Sequence, residues 1–597
     1  MVDLTQKPFY LNAEQLEWVE STLAGMSDDE KIKQLFVNLT GAGTNEEQIR
    51  YECETMQMGA IRFNPRKKEE MWEMNRLFQK YSRIPVLSAA NVEAGGNGAT
   101  SDGTNVGQEI KIAATGDKYY AYKLGQICGR ETRAVGSNWA FAPIVDLTYN
   151  WHNPVISTRA FGRDADMVLE FSREYFRGIS ESGILCAMKH FPGDGQDERD
   201  QHVATSVNTM SCEEWDATYG KVYAGLIEDG IQSVMPGHFL MPAYQKYFDP
   251  DLPEDGYLPA TICKELLTDL LRGKLGFNGL IVTDASHMVG LTGRAKRSEL
   301  VPMAIMAGCD MFLFYNDFAE DIGYMSAALA DGHLTHERLD DAVRRILGLK
   351  ALAGLANFTL DKFPPREGLD IVGCEEHRRV AEEVSDKSVT LVKQVGENIF
   401  PVTDKKRVLL VPVGPKPSPI LVVAGMGADG SRLINTLKEK LEQHGHTVEI
   451  YVDPVEKMVA AMSAMSPEER AAGGMEKLKK KGAYGLKTSI ASLTDNYDLV
   501  ICVANVSATM RTTQRLEWAI SKGGWDNPWY VNELPVIFVS FNCPFHLADV
   551  PQVKNFVNCY DAQDSSVDAF VRKIEGESEF TGISPVDAFC GLMDTRF

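Results

Sequence analysis

Short apolar runs alternate with longer amphipathic stretches through residues 1–355. The runs Ala60–Phe63, Val86–Ala89, Trp139–Ala142, Ile184–Met188, Ser233–Met235, Leu280–Thr283 and Met311–Phe314 read as strands. They are apolar almost without alternation, the pattern of strands covered on both faces. Between them, segments such as Met71–Tyr81 and Lys264–Leu275 carry apolar residues at helical spacing. Repetition of this kind builds parallel β/α units. Seven or eight of them predict a (β/α)8 TIM-type barrel, with a doubly wound open sheet as the competing arrangement. In a barrel, chemistry sits at the C-terminal ends of the strands. Asn91, Glu93, Asp146, Lys189, His190, His238, Asp284, Asn316 and Asp317 all fall at such ends.

The pattern breaks after Leu355. Phe358–Gly373 holds the adjacent prolines Pro364 and Pro365 and reads as a linker, followed by a helix near Glu375–Ser385. A second α/β pattern then begins, with strands at Val408–Val413, Thr447–Val452, Leu499–Val503 and Val536–Phe541. The expected organisation is a barrel over 1–355, linker and helix over 356–385, and a second α/β domain over 386–597.

Composition narrows the function classes. The chain is 44% hydrophobic and 24% charged, which is globular rather than disordered or fibrous. A net charge of −22 argues against nucleic acid and against an anionic membrane surface, since both need a basic face. Eleven scattered cysteines without a CxxC pair give no metal-site spacing and read as free thiols, so neither metal nor cofactor is expected. The opening MVDLTQKPFY lacks an apolar signal core, and no apolar run reaches membrane length, so a cytoplasmic location is expected.

The richest segment is Lys189-His190-Phe191-Pro192-Gly193-Asp194-Gly195-Gln196-Asp197-Glu198-Arg199-Asp200-Gln201-His202, directly after an apolar strand. Its glycines and proline force a loop, in which Asp200 and His202 stand two apart. A carboxylate there can fix the tautomer of the imidazole and stabilise its cation, keeping a proton available near neutral pH. On charge alone the segment equally suits a solvated acidic loop. Asp284 ends its strand, where a nucleophile or a helix N-cap would both be at home.

The arrangement KHFPGxG followed by D-x-H resembles the N-acetylglucosaminidase branch of glycoside hydrolase family 3. Similar family segments occur in order: Met26–Leu35, Phe141–Asp146, Asn153–Gly162, Val234–His238, Leu271–Asp284 and Ala307–Asp310. In the second domain Ser388–Lys393 and Pro535–Ser540 look like the family's C-terminal α/β sandwich. The resemblance implies that Asp284 attacks the anomeric carbon, that His202 protonates the leaving oxygen and then deprotonates water, and that Asp200 orients it. It implies that Lys189, His190, Arg159, Asn91 and Met235 hold the sugar, and that the sandwich has a structural or aglycone-side role. Two departures stand out. Asn91-Val-Glu-Ala-Gly-Gly-Asn97 replaces the usual D-x-E-G-G-R, and Ala285 follows Asp284 where many relatives carry a second aspartate. His238 and His287 read as satisfied structural histidines.

The expected activity is that of a retaining exo-β-N-acetylglucosaminidase acting on a small GlcNAc-containing carbohydrate. A phosphorylase, a β-glucosidase and a silent sugar-binding protein remain open. So does nucleotide binding, because Gly425-Met-Gly-Ala-Asp-Gly430 follows a strand-like run, Ile420–Ala424, and Asp453 ends the next.

Overall fold

Eight parallel strands close into a ring in the computed structural model, which describes residues 2–41, 43–414, 430–452, 466, 489–506, 514–518 and 524–597. They are β1 (Phe36–Thr40), β2 (Ala60–Phe63), β3 (Leu87–Ala90), β4 (Trp139–Ala140), β5 (Leu185–Phe191), β6 (Ser233–Pro236), β7 (Leu280–Ala285) and β8 (Met311–Leu313). Each pairs in parallel with its neighbours, and β8 returns to β1, so the ring has no free edge and the open-sheet alternative falls. The fold is the expected TIM-type barrel followed by a separate α/β domain. Seven of the strands lie on the apolar runs. β1 does not, because Asn38 interrupts it. That amide is 2% exposed and donates to Glu52 Oε2 at 2.7 Å, so burial here is satisfied by a hydrogen bond rather than by an apolar side chain.

The helical stretches appear at Lys68–Tyr81 and Glu265–Lys274, the second wound as a π-helix. On the outer layer, the helices Tyr119–Ala134 and Ala165–Ser180 cross closely at glycines. A Cβ on Gly125 would lie 2.1 Å from the Tyr175 carbonyl oxygen, and one on Gly178 would lie 2.2 Å from that of Tyr122. Gly178→Ala gains about 1 kcal/mol of helix propensity. The clash is with backbone, however, and overpacking costs about 1–3 kcal/mol. We therefore expect net destabilisation, read as a lower denaturation midpoint.

The chain divides into two compact units, Met1–Ala113 with Asp117–Ala381, and Ala114–Gly116 with Glu382–Phe597. In the first, the proline-rich stretch after the barrel is tied down: Trp72 Nε1 donates to the Pro364 carbonyl at 2.9 Å, and Lys68 Nζ to that of Leu369 at 3.1 Å. The second unit is built on a six-stranded sheet. Its strands are β9 (Thr390–Gln394), β10 (Arg407–Val413), β11 (Thr447–Ile450), β12 (Leu499–Ala504), β13 (Val536–Ser540) and β14 (Asn555–Asn558), in spatial order β9-β14-β13-β12-β10-β11. Only β9 runs antiparallel to its neighbour. Along β10, Val408 and Leu410 enter one core while Leu409 and Val411 enter the other. Both faces of the sheet are thus covered, which makes the unit a sandwich. The 425–429 part of the GxGxxG, the 420–424 run and Asp453 lie outside the described residues.

Candidate active site

At the C-terminal rim of the barrel, one carboxylate gathers two cations, one from a loop and one from a strand. Glu93, three residues past β3, accepts Arg159 Nε at 3.0 Å and Nη2 at 2.9 Å, and Lys189 Nζ from β5 at 2.6 Å. Burial pushes the Glu93 carboxyl up, but the two cations outweigh it and hold it well below the usual carboxylate range. Behind it, fully buried Glu109 accepts the Ile144 N–H at 3.0 Å through one oxygen, while the other has no hydrogen-bond partner among the described residues. Burial raises this carboxyl far above its ordinary value, which favours its neutral form.

The cis peptide Lys189–His190 lies near the end of β5, just before Phe191. His190 Nδ1 pairs with buried Asp146 at 2.7 Å, and Asp146 also accepts the Asp194 N–H at 2.7 Å. With Nδ1–H given to Asp146, Nε2 faces Asp284 Oδ2 at 3.9 Å. Asp194, pressed against Asp146 in a buried turn, has its carboxyl pushed up to about 7 by burial and by that neighbouring charge.

Asp284 stands at the tip of β7. Oδ1 accepts the Ala285 N–H at 2.7 Å, while Oδ2 has only longer contacts, to Gln201 Nε2 at 3.5 Å and to His190. Burial pushes its carboxyl up. The His190 and His238 imidazoles and the Ala285 N–H more than offset this, and Asp284 rests below the usual carboxylate range. It is therefore ionised at neutral pH.

The loop after β5 carries the dyad. Asp200 Oδ1 accepts the backbone N–H of His202 at 2.8 Å and lies 2.6 Å from its Nδ1. The hydrogen bond to Asp200 raises the His202 pKa above its ordinary value, with the Asp284 charge adding to the effect. The His202 side chain is 52% exposed while Asp200 is mostly covered, so the free Nε2 is open to a ligand.

Asn91, one residue past β3, has a buried Oδ1 without a hydrogen-bond partner among the described residues. Met235 is 3% exposed in β6, in register with Lys189. His238 is satisfied by Thr261 Oγ1 at 2.7 Å and the Ala285 carbonyl at 2.9 Å. His287 differs from its expected role. It is exposed and stacks on Phe314 at 5.9 Å rather than being bonded in the core. Glu109 and Gln201 belong to this cluster without any mark in the sequence spacing, since each is bonded to a partner from a distant segment. Among the described residues, no group of three or more His, Cys, Asp and Glu side chains could hold a metal ion, and no helix is long and apolar enough to cross a membrane.

The model of the glycosyl hydrolase family 3 N-terminal domain matches residues 27–349, more than half of the chain. The chain belongs to glycosyl hydrolase family 3. It is 38% identical, over the full length of both chains, to a Cellulomonas fimi protein named beta-N-acetylglucosaminidase/beta-glucosidase. It also matches the solved structure of the beta-glucoside phosphorylase BglX, with a TM-score of 0.87, 36% identity and 99% of each chain covered. A family 3 beta-N-acetylglucosaminidase from Paenibacillus sp. str. FPU-7 shares the fold, with a TM-score of 0.72 and 23% identity over 95% of this chain and 100% of that one. The family 3 assignment rests on residues 27–349 and not on the dyad loop alone.

Proposed function

We propose that the protein cleaves terminal β-linked N-acetylglucosaminides, with β-glucosides as a related substrate, through a covalent glycosyl-enzyme on Asp284. The observation that carries this is the pairing of a largely covered, ionised strand-tip carboxylate with an exposed histidine whose pKa an adjacent aspartate raises. Asp284 Oδ2, the less engaged oxygen, attacks C1. As the glycosidic C–O bond breaks, the His202 proton passes to the leaving oxygen. An incoming hydroxyl then gives its proton to His202 and attacks C1, freeing the Asp284 carboxylate. Arg159, Lys189, His190 and Asn91 hold the sugar hydroxyls, and Met235 walls the pocket. The dual name of the Cellulomonas fimi relative supports both the N-acetylglucosaminide and the glucoside substrate.

Phosphorolysis is the second reading, favoured by the 36% identity to a beta-glucoside phosphorylase. A cationic histidine repels phosphate less than a carboxylate acid/base would. Nitrophenyl N-acetylglucosaminide and glucoside, each with and without inorganic phosphate, test both readings. Free sugar at a rate indifferent to phosphate supports hydrolysis; sugar 1-phosphate with acceleration supports phosphorolysis. No release from either glycoside sinks the proposal.

Two variants probe the dyad. His202→Ala should slow cleavage of poor leaving groups by roughly 10²–10⁴-fold, and that of dinitrophenolate far less, because dinitrophenolate needs no proton. For Asp200→Asn the readout is the pH profile. The acid works only while protonated, so kcat/KM for a poor leaving group falls as pH rises through the raised His202 pKa. Removing the carboxylate lowers that pKa, and the basic limb should move to lower pH. An unmoved limb would exclude His202 as the titrating acid.

A further inference from the structure

Across residues 197–204 the chain runs at the surface, with one exception. Gln201, between the two dyad residues, is 1% exposed, whereas Val203 just beyond it is 58% exposed. Its amide is held at both ends. Oε1 accepts the His238 backbone N–H at 2.6 Å at the end of β6, and Nε2 reaches Asp284 Oδ2 at 3.5 Å, the long end of hydrogen-bond range. The N–H partner fixes the amide's orientation, because only oxygen can accept there, so the NH2 group must face the carboxylate. Two backbone bonds hold the same loop independently: Gly290 N–H donates to the Gln201 carbonyl at 3.0 Å, and Val289 N–H to that of His202 at 3.1 Å. The close approach needs glycine at 290, where a Cβ would lie 2.8 Å from the Gln201 carbonyl oxygen.

The loop's path is thus set by main chain, and the Gln201 side chain adds a direct link between the loop and the nucleophile. We propose that Gln201 is a positioning residue that keeps His202 in register with Asp284, so that proton delivery and attack on C1 are aimed at the same glycosidic bond. This rests on the roles proposed above for those two residues. The site calls for an amide of this length. Glutamate would bring a second carboxylate to Asp284, and asparagine, one methylene shorter, could not span both partners. Methionine keeps the volume and loses both hydrogen bonds.

Gln201→Met is therefore the test. With a poor leaving group kcat/KM should fall about 10²-fold, and with dinitrophenolate less than about 3-fold. Sodium azide should restore turnover of the dinitrophenyl glycoside, because azide attacks C1 of the glycosyl-enzyme without needing a base and yields a glycosyl azide. The denaturation midpoint should drop only modestly, because the buried His238 N–H loses its acceptor while the main-chain bonds of the loop remain, and the variant should stay folded at the assay temperature. Equal loss with both leaving groups, absence of azide rescue, or unchanged kinetics would each overturn the proposal. A fluorinated glycosyl fluoride, followed by peptide mass analysis of the unmodified protein, separates this from failure of the underlying reading. Label on Asp284 with wild-type-like Gln201→Met kinetics defeats only the positioning role; label elsewhere defeats the nucleophile assignment itself.

Discussion

An Asp284→Ala variant is expected to lose roughly 10⁴–10⁶-fold in kcat on every glycoside, dinitrophenyl glycosides included. The contrast with His202→Ala is the informative part. A good leaving group bypasses the acid, but nothing bypasses the group that bonds to C1. Asp284 suits that role because its two oxygens are differently engaged. One is tied to the Ala285 N–H at 2.7 Å, and the other is left with contacts of 3.5 Å and longer. Steady-state turnover with paired leaving groups, plus azide as an added nucleophile, makes the measurement. If Asp284→Ala keeps dinitrophenolate release within tenfold of the parent, the covalent route through this residue is excluded.

Glu93→Ala should be the most damaging change to stability at the site. It leaves Lys189, 3% exposed, and the partly covered Arg159 without their common anion. Removing one partner of a buried ion pair costs about 3–5 kcal/mol, chiefly because the remaining charge stays desolvated. Activity should collapse as well, since both cations, proposed above to hold the sugar, would lose the anchor that fixes them. Glu93→Gln separates the two effects: it keeps acceptor geometry for one donor but supplies no charge. A denaturant midpoint for Glu93→Ala equal to that of the parent would show that another carboxyl ionises to take over the charge, with Glu109 the obvious candidate.

Much of the barrel was legible because its strands are buried on both faces and write themselves as uninterrupted apolar runs. β1 escaped because Asn38 is buried as an amide bonded to Glu52, and no apolar pattern marks a satisfied polar residue. In the second unit β10, β11, β12 and β13 read clearly. β14 did not, because Asn555 and Asn558, both buried, cap a short apolar pair. The dyad was visible since its partners are two residues apart. Glu93 with Arg159 was not, since 66 residues separate them and only the closed ring makes them neighbours. Gln201 was hidden differently. Its neighbours mark an acidic surface loop, and nothing in the local pattern says that one amide turns inward.

Because Asp200 and His202 are bonded to each other within a single turn, the pair travels as one piece. A homologous loop grafted between the β5 strand and the 206–207 segment would bring Asp200, Gln201 and His202 together, while Asp284 stays behind on β7. On the roles proposed above, the acid/base half of the site is then exchangeable as one short segment, without any reconstruction of the barrel strands.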